Sequence, residues 1–244
     1  SLFEETRDGR LSREIDDWSV SKIKRLGADA VKVLAWYRPD ADPAVCRAQQ
    51  DFTKRIGEAC AAHDIPFLFE LLVYPLAKDS EQTTDYVEMA SKQPDLVLAS
   101  VAEFAKPDYG IDVFKLESPV PAKGIAEATV DVQALYDEMG RLAGRPWVML
   151  SAGAGKADFE VVLRHAYKAG ASGYLAGRAI WLDAFAHFTD WAAIERDLRG
   201  EARAYMDRIN ALTDSAARPW AEAVEAAPLP LGAAFRQGYE RLPS

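Results

Sequence analysis

Lys115 and Glu117 stand two positions apart in the stretch 111–120, IDVFKLESPV. Val113, Phe114 and Leu116 give it strand character, and Pro119 ends it because proline has no N–H to donate to a ladder. Positions two apart on a strand share a face, so the ammonium and the carboxylate project together. Charges on an otherwise apolar strand are costly unless they serve a site or reach water. Taken alone, the pair reads as the wet side of an edge strand.

Two further stretches change that reading. Lys32 lies inside 28–36 (ADAVKVLAW) and Glu70 inside 65–72 (IPFLFELL), both apolar and strand-like. In a closed barrel, charged groups inside several strands converge near the C-terminal ends, where active sites of that architecture form. A lysine that is partly desolvated beside a second cation has a depressed pKa and becomes a nucleophilic amine. The plainer alternative is a buried salt-bridge cluster without function.

An anion site is the second candidate. Ser151-Ala152-Gly153 and Ala176-Gly177-Arg178 each follow a strand and precede a helix. Glycine lets a phosphate approach the backbone, helix starts offer free N–H groups, and Arg178 adds charge. Each turn alone is as readily a plain loop. In tandem after the last two strands, they fit the phosphate-binding habit of a (β/α)8 barrel.

The elements that must position these groups alternate. Strands are expected at about 29–36, 66–72, 111–117, 146–151 and 172–176. Helical spacing is expected over 14–26, from Asp42 or Pro43 to about His63, and over 79–92, 130–143, 156–169 and 190–212. Residues 95–106 suit a strand or a helix, 1–10 look like a strand tail and loop, and Pro228 and Pro230 mark an irregular tail. Strands alternating with helices imply βαβ units and a parallel sheet, whose strands read as near-continuous apolar runs.

Composition narrows the partners. At 244 residues and 49% hydrophobic, the chain can bury a sizeable core, and its net charge of −9 disfavours nucleic acid and anionic membrane. The longest apolar run, 65–77, contains Glu70 and is too short to span a bilayer. No secretory signal is visible, and the first residue is Ser. Cys46 and Cys60 fall in one helical pattern roughly 21 Å apart, beyond disulfide reach. Reduced thiols fit a cytoplasmic protein. His63, His165 and His187 are scattered without metal-ligand spacing, so no metal or other cofactor is expected.

ADAVKVLAWY, PFLFELLVYP, IDVFKLESPV, WVMLSAG and GASGYLAGRAIW resemble, in this order, segments of the tagatose 1,6-bisphosphate aldolase family. That family is also similar to the sulfofructose-phosphate aldolases. The resemblance runs from about residue 1 to about residue 191 and implies a class I, metal-free aldolase on an α/β fold, the (β/α)8 TIM barrel. By motif it makes Lys115 the Schiff-base lysine, Lys32 the second active-site lysine and Glu70 the acid/base. The stretches around Ser151, Ala152, Gly153, Gly177 and Arg178 match its phosphate-binding ends. Glu117 is expected behind Lys115 as a supporting partner.

Family members begin with further chain that holds the first strands and an Asp-Gln-Arg-like segment at the barrel mouth. Five strands do not close an eight-stranded barrel. The expectation is therefore an incomplete chain covering about the last five strands, a partner that completes the barrel being the alternative. Residues 1–191 would form the partial barrel and 192–244 a C-terminal helical extension.

The activity implied is a lyase cleaving a phosphorylated ketohexose to dihydroxyacetone phosphate and glyceraldehyde 3-phosphate. One rival keeps the chemistry but takes a sulfonated ketose phosphate, with Trp36 and Arg38 recognising the other terminal anion. Another is a phosphosugar-binding regulator without turnover, against which Lys115, Lys32 and Glu70 together speak. The partner expected is a small phosphosugar, and the assembly expected is a homo-oligomer.

Overall fold

A computed structural model describes residues 2–6, 9–79, 89 and 91–223. It opens with an antiparallel hairpin, β1 (Leu2–Thr6) against β2 (Gly9–Arg13), where the sequence suggested a strand tail and a loop. The hairpin is anchored by long-range contacts that local patterning cannot show. Arg10 is 2% exposed, with its guanidinium over the rings of Phe3, Trp36 and Tyr74. The Ser12 N–H donates to Gln49 Oε1, and Gln49 Nε2 in turn donates to the Trp36 carbonyl.

Helix α1 (Val20–Arg25) is shorter than the 14–26 expected. Ser19 caps it by accepting from the Lys22 N–H, and Asp17 just before it has φ 58°, which breaks a right-handed helix. Then follow β3 (Val31–Trp36), α2 (Pro43–Ala62) and β4 (Phe67–Leu72). Asp42 caps α2 through the Ala44 N–H, with Pro43 in the first turn, where its missing donor costs nothing. Cys46 and Cys60 both lie on this helix as free thiols.

The helix expected at 79–92 falls mostly outside the described residues. The ambiguous stretch after it is helix α3 (Pro94–Phe104), which buries Val97, Ser100, Val101 and Phe104 along one stripe. Next come β5 (Val113–Leu116), α4 (Val132–Ala143), β6 (Trp147–Leu150), α5 (Lys156–Lys168), β7 (Gly173–Leu175) and the single turn α6 (Arg178–Trp181). The helix expected over 190–212 is α7 (Trp191–Asp197), a π-helical turn at Leu198–Ala202 and α8 (Arg203–Ala216). The tail with Pro228 and Pro230 lies outside the described residues. No helix among the described residues is long and apolar enough to cross a membrane.

Strands β3 to β7 form one parallel sheet in chain order, each paired with the next. Alternation sorts their side chains. Val31, Val33, Ala35, Phe67, Phe69, Leu71, Phe114, Leu116, Trp147 and Met149 belong to the main core, together with the buried stripes of α2 to α5. Burying an aromatic such as Phe69 or Phe114 contributes roughly 1.5–3 kcal/mol. The opposite face carries Lys32, Leu34, Trp36, Leu68, Glu70, Leu72, Val113, Lys115, Val148 and Leu150. At its C-terminal end, Trp36, Leu72, Tyr74, Leu76, Leu150 and Ala152 make a second, smaller apolar cluster. Residues 192–223 pack back on the helical layer, where Tyr205 donates to the Lys156 carbonyl and the Tyr167 and Thr213 hydroxyls meet.

Candidate active site

Strand pairing brings the charged groups together. Glu70 on β4 is the register partner of Lys115 on β5 and of Leu34 on β3. Lys115 Nζ donates to Glu70 Oε1 at 2.6 Å, and Lys32 Nζ lies 2.5 Å from Glu70 Oε2. The Glu70 side chain is 1% exposed, Lys115 14% and Lys32 48%, so accessibility increases from the carboxylate to Lys115 to Lys32. Burial holds the Lys115 amine below the ordinary lysine range, with repulsion from Lys32 adding to it and the Glu70 contact opposing. A carboxylate bound to two amines, one of them depressed, can move a proton between them.

These three side chains line a cavity of about 410 Å³ with Leu150, Ser151, Ala152, Leu175, Gly177, Arg178 and Trp181. Ser151 to Ala154 form a tight turn after β6, closed by the Ala154 N–H on the Ser151 carbonyl. Its two central residues, Ala152 and Gly153, have φ 47° and 82°, the type I′ pattern. The φ of Gly153 is what favours glycine there, and the Arg178 guanidinium lies against the turn, 3.7 Å from where a Cβ on Gly153 would sit, an ordinary contact. Arg178 and Trp181 are three apart in α6 and so share a helical face, which turns both toward the cavity. The floor of the cavity is thus cationic and carboxylate-bearing, and one wall offers a glycine turn and an arginine suited to an anion.

A family model described as DeoC/LacD family aldolase matches residues 4–183. The tagatose 1,6-diphosphate aldolase of Listeria monocytogenes serotype 4b is 34% identical over 230 residues, covering 89% of this chain and 67% of the relative. That of Streptococcus pneumoniae is 34% identical over 236 residues, covering 91% and 71%. The chain belongs to the DeoC/LacD family of aldolases. The family's α/β fold is also visible in shape. A Schiff base forming fructose-1,6-bisphosphate aldolase matches with a TM-score of 0.53 at 18% identity, over 82% of this chain and 65% of that one. This DeoC/LacD chain therefore spans less than two thirds of that solved structure.

Within this family member, Lys32, Glu70, Lys115, Ser151, Ala152, Gly177 and Arg178 meet at one cavity, and Gly153 abuts Arg178. The structure does not bring Arg38 there. Its guanidinium is 3% exposed, bidentate to Asp40 at 2.8 and 3.0 Å, and bound to Asp79 and the Tyr74 carbonyl. Trp36 is 2% exposed beneath Arg10. Glu117 is buried past the end of β5, where it accepts from the Val73 N–H and pairs with Lys92. Sequence reasoning missed Lys92, which is fully buried. A lone lysine in a polar stretch carries no signal of burial. Trp181 was visible in AGRAIW, and its helical spacing from Arg178 is the signal that finds it. Among the described residues, no group of three or more His, Cys, Asp or Glu side chains is placed to hold a metal ion.

Proposed function

We propose that this chain carries the catalytic half of a class I aldolase that reversibly cleaves a phosphorylated ketohexose such as tagatose 1,6-bisphosphate. The five parallel strands would be an arc of a (β/α)8 barrel, with 1–191 its partial barrel and 192–244 a helical extension. The observation that carries the reading is Glu70, one buried carboxylate in contact with both Lys115 and Lys32.

The Lys115 amine attacks the C2 ketone, and the carbinolamine loses water to give an imine. Glu70 takes the proton from the attacking nitrogen and returns it to the departing hydroxyl. The protonated imine then draws in the electron pair of the C3–C4 bond as the C4 hydroxyl gives its proton to Glu70, and glyceraldehyde 3-phosphate leaves. The enamine is protonated at C3, and water hydrolyses the imine to release dihydroxyacetone phosphate and the free amine. Lys32 keeps Lys115 deprotonated and orients substrate oxygens. Arg178 and the Gly153 turn hold the phosphate of the ketone half.

Borohydride reduction in the presence of a panel of ketose phosphates tests this. Tagatose 1,6-bisphosphate should add mass to the peptide containing Lys115 and inactivate the protein, and a Lys115→Met variant should take up no label. Label mainly on Lys32, or none with any ketose phosphate, would sink the assignment. A sulfonated ketose phosphate in the same panel separates the two substrate classes.

A further inference from the structure

Strands β4 and β5 carry the carboxylate and the nucleophile of the proposed site, and something must fix them at their C-terminal ends. Their register runs out at the pair Leu71 and Leu116. Beyond it the next link is a side chain: the Val73 N–H donates to Glu117 Oε1 at 2.6 Å. Glu117 is two residues past Lys115, and Val73 is three past Glu70. The second carboxylate oxygen lies 3.1 Å from Lys92 Nζ, and the two side chains are 2% and 0% exposed. Lys92 arrives from the segment before α3, so the connection leaving β4 is tied to the end of β5 as well.

We propose that Glu117 and Lys92 form a buried clamp that sets the separation of Glu70 from Lys115, which makes both positioning residues of the Schiff-base site. The inference rests on the aldolase reading given above. Stability alone does not explain such a pair, because well-packed apolar residues commonly replace a buried ion pair without loss. A charged hydrogen bond across two strand ends does something apolar packing cannot: it fixes one distance. The proton transfer proposed for Glu70 depends on a contact of 2.6 Å, and a misplacement of about 1 Å can cost about a hundredfold in rate.

Two double variants separate positioning from support. Both Lys92→Met/Glu117→Gln and Lys92→Met/Glu117→Leu remove the buried charges. Only the Gln variant keeps a carbonyl oxygen for the Val73 N–H. With tagatose 1,6-bisphosphate, the Leu variant should lose roughly 30- to 100-fold in kcat with KM within about twofold, and the Gln variant should retain about tenfold more. Melting curves should show both variants folded at the assay temperature. Equal kcat in the two folded variants, or a parental kcat in the Leu variant, overturns the clamp. If the Leu variant does not fold, Glu117→Asp carries the test. It keeps the charge but withdraws the oxygen by one methylene, so kcat should fall about tenfold, and an unchanged kcat overturns the proposal. In parallel, the parent protein is reduced with borohydride and dihydroxyacetone phosphate. Absence of label on Lys115 brings down the aldolase reading and the clamp with it, whereas label with indistinguishable variants brings down the clamp alone.

Discussion

Glu70 and Lys115 are register partners across β4 and β5, and their side chains meet at 2.6 Å on the face turned away from the helices. Parallel pairing sets their Cα atoms opposite each other, so the two side chains reach across a single strand spacing. The same Glu70 reaches Lys32 two strands from Lys115, which places one carboxylate between two amines.

The first prediction concerns pH. Burial and then Lys32 hold the Lys115 amine low, while Glu70 pulls it up. Lys32→Met removes a cation, which makes the protonated amine cheaper and raises its pKa. The midpoint of the pH profile for borohydride trapping should therefore move to higher pH, and in Glu70→Gln it should move lower. A Lys32→Met midpoint that stays put or falls would contradict this electrostatic account. The fold feels the same depression. The unfolded chain binds the extra proton, so Lys115 costs stability below its folded pKa, and that cost is relieved as pH rises toward the unfolded value near ~10.4.

Arg178 supplies the second. Arg178→Ala should raise KM for a phosphorylated substrate by an amount worth roughly 1.5–3 kcal/mol, the range for hydrogen bonds to charged groups. Turnover of an unphosphorylated analogue should barely change. Equal losses on both substrates would make Arg178 structural.

Arg38 should behave differently. It is buried against Asp40, Asp79 and a carbonyl. Arg38→Met should destabilise the fold by roughly 2 kcal/mol, because the buried Tyr74 carbonyl and the part-buried Asp79 carboxylate lose its charged hydrogen bonds, with KM little altered. Urea unfolding and steady-state kinetics on one preparation settle it. Hydrogen bonds from Arg38, then Lys78, hold the Asp40 carboxyl well below its usual range. That contribution is present above the unfolded pKa near ~3.9 and lost as pH falls through the folded value. The variant should therefore lose less stability in strong acid than the parent.

Gly57 offers a test of packing. A Cβ there would lie 2.0 Å from the Tyr109 carbonyl, so α2 would have to move off the backbone leading into β5. Gly57→Ala should cost about 3 kcal/mol by overpacking, although alanine favours helices. A variant as stable as the parent would show that this contact yields easily.

Chelation is the last. In the proposed mechanism the imine, not a metal, is the electron sink, so activity should survive prolonged EDTA treatment. Activity lost to EDTA and restored by zinc would overturn the Schiff-base reading.

Lys32, Glu70 and Lys115 could be singled out in the sequence because a charge inside an apolar strand is expensive, and period-two alternation already placed each opposite the helical layer. The same alternation puts Val31, Val33, Phe69 and Phe114 on the other face of their strands, and they lie in the core. Asp42 and Pro43 fixed the start of α2 through local hydrogen bonding alone. These features are legible because their causes lie within a few residues along the chain.

What required tertiary structure were the contacts between distant segments. Residues 1–10 could not announce a hairpin whose anchor is Arg10 stacked on Trp36 and Tyr74. Arg38, at the end of the Lys32 strand, suits an anion by its sequence position, but folding brings Asp79 against its guanidinium. Glu117 shares alternation with Lys115, yet it leaves the strand and turns to the Val73 N–H and to Lys92, a residue with no sequence signal at all. Sequence periodicity dictates which face a side chain takes, since that follows from backbone geometry. Which partner neutralises a buried charge depends on groups that folding brings from tens of residues away, and only the folded chain decides it.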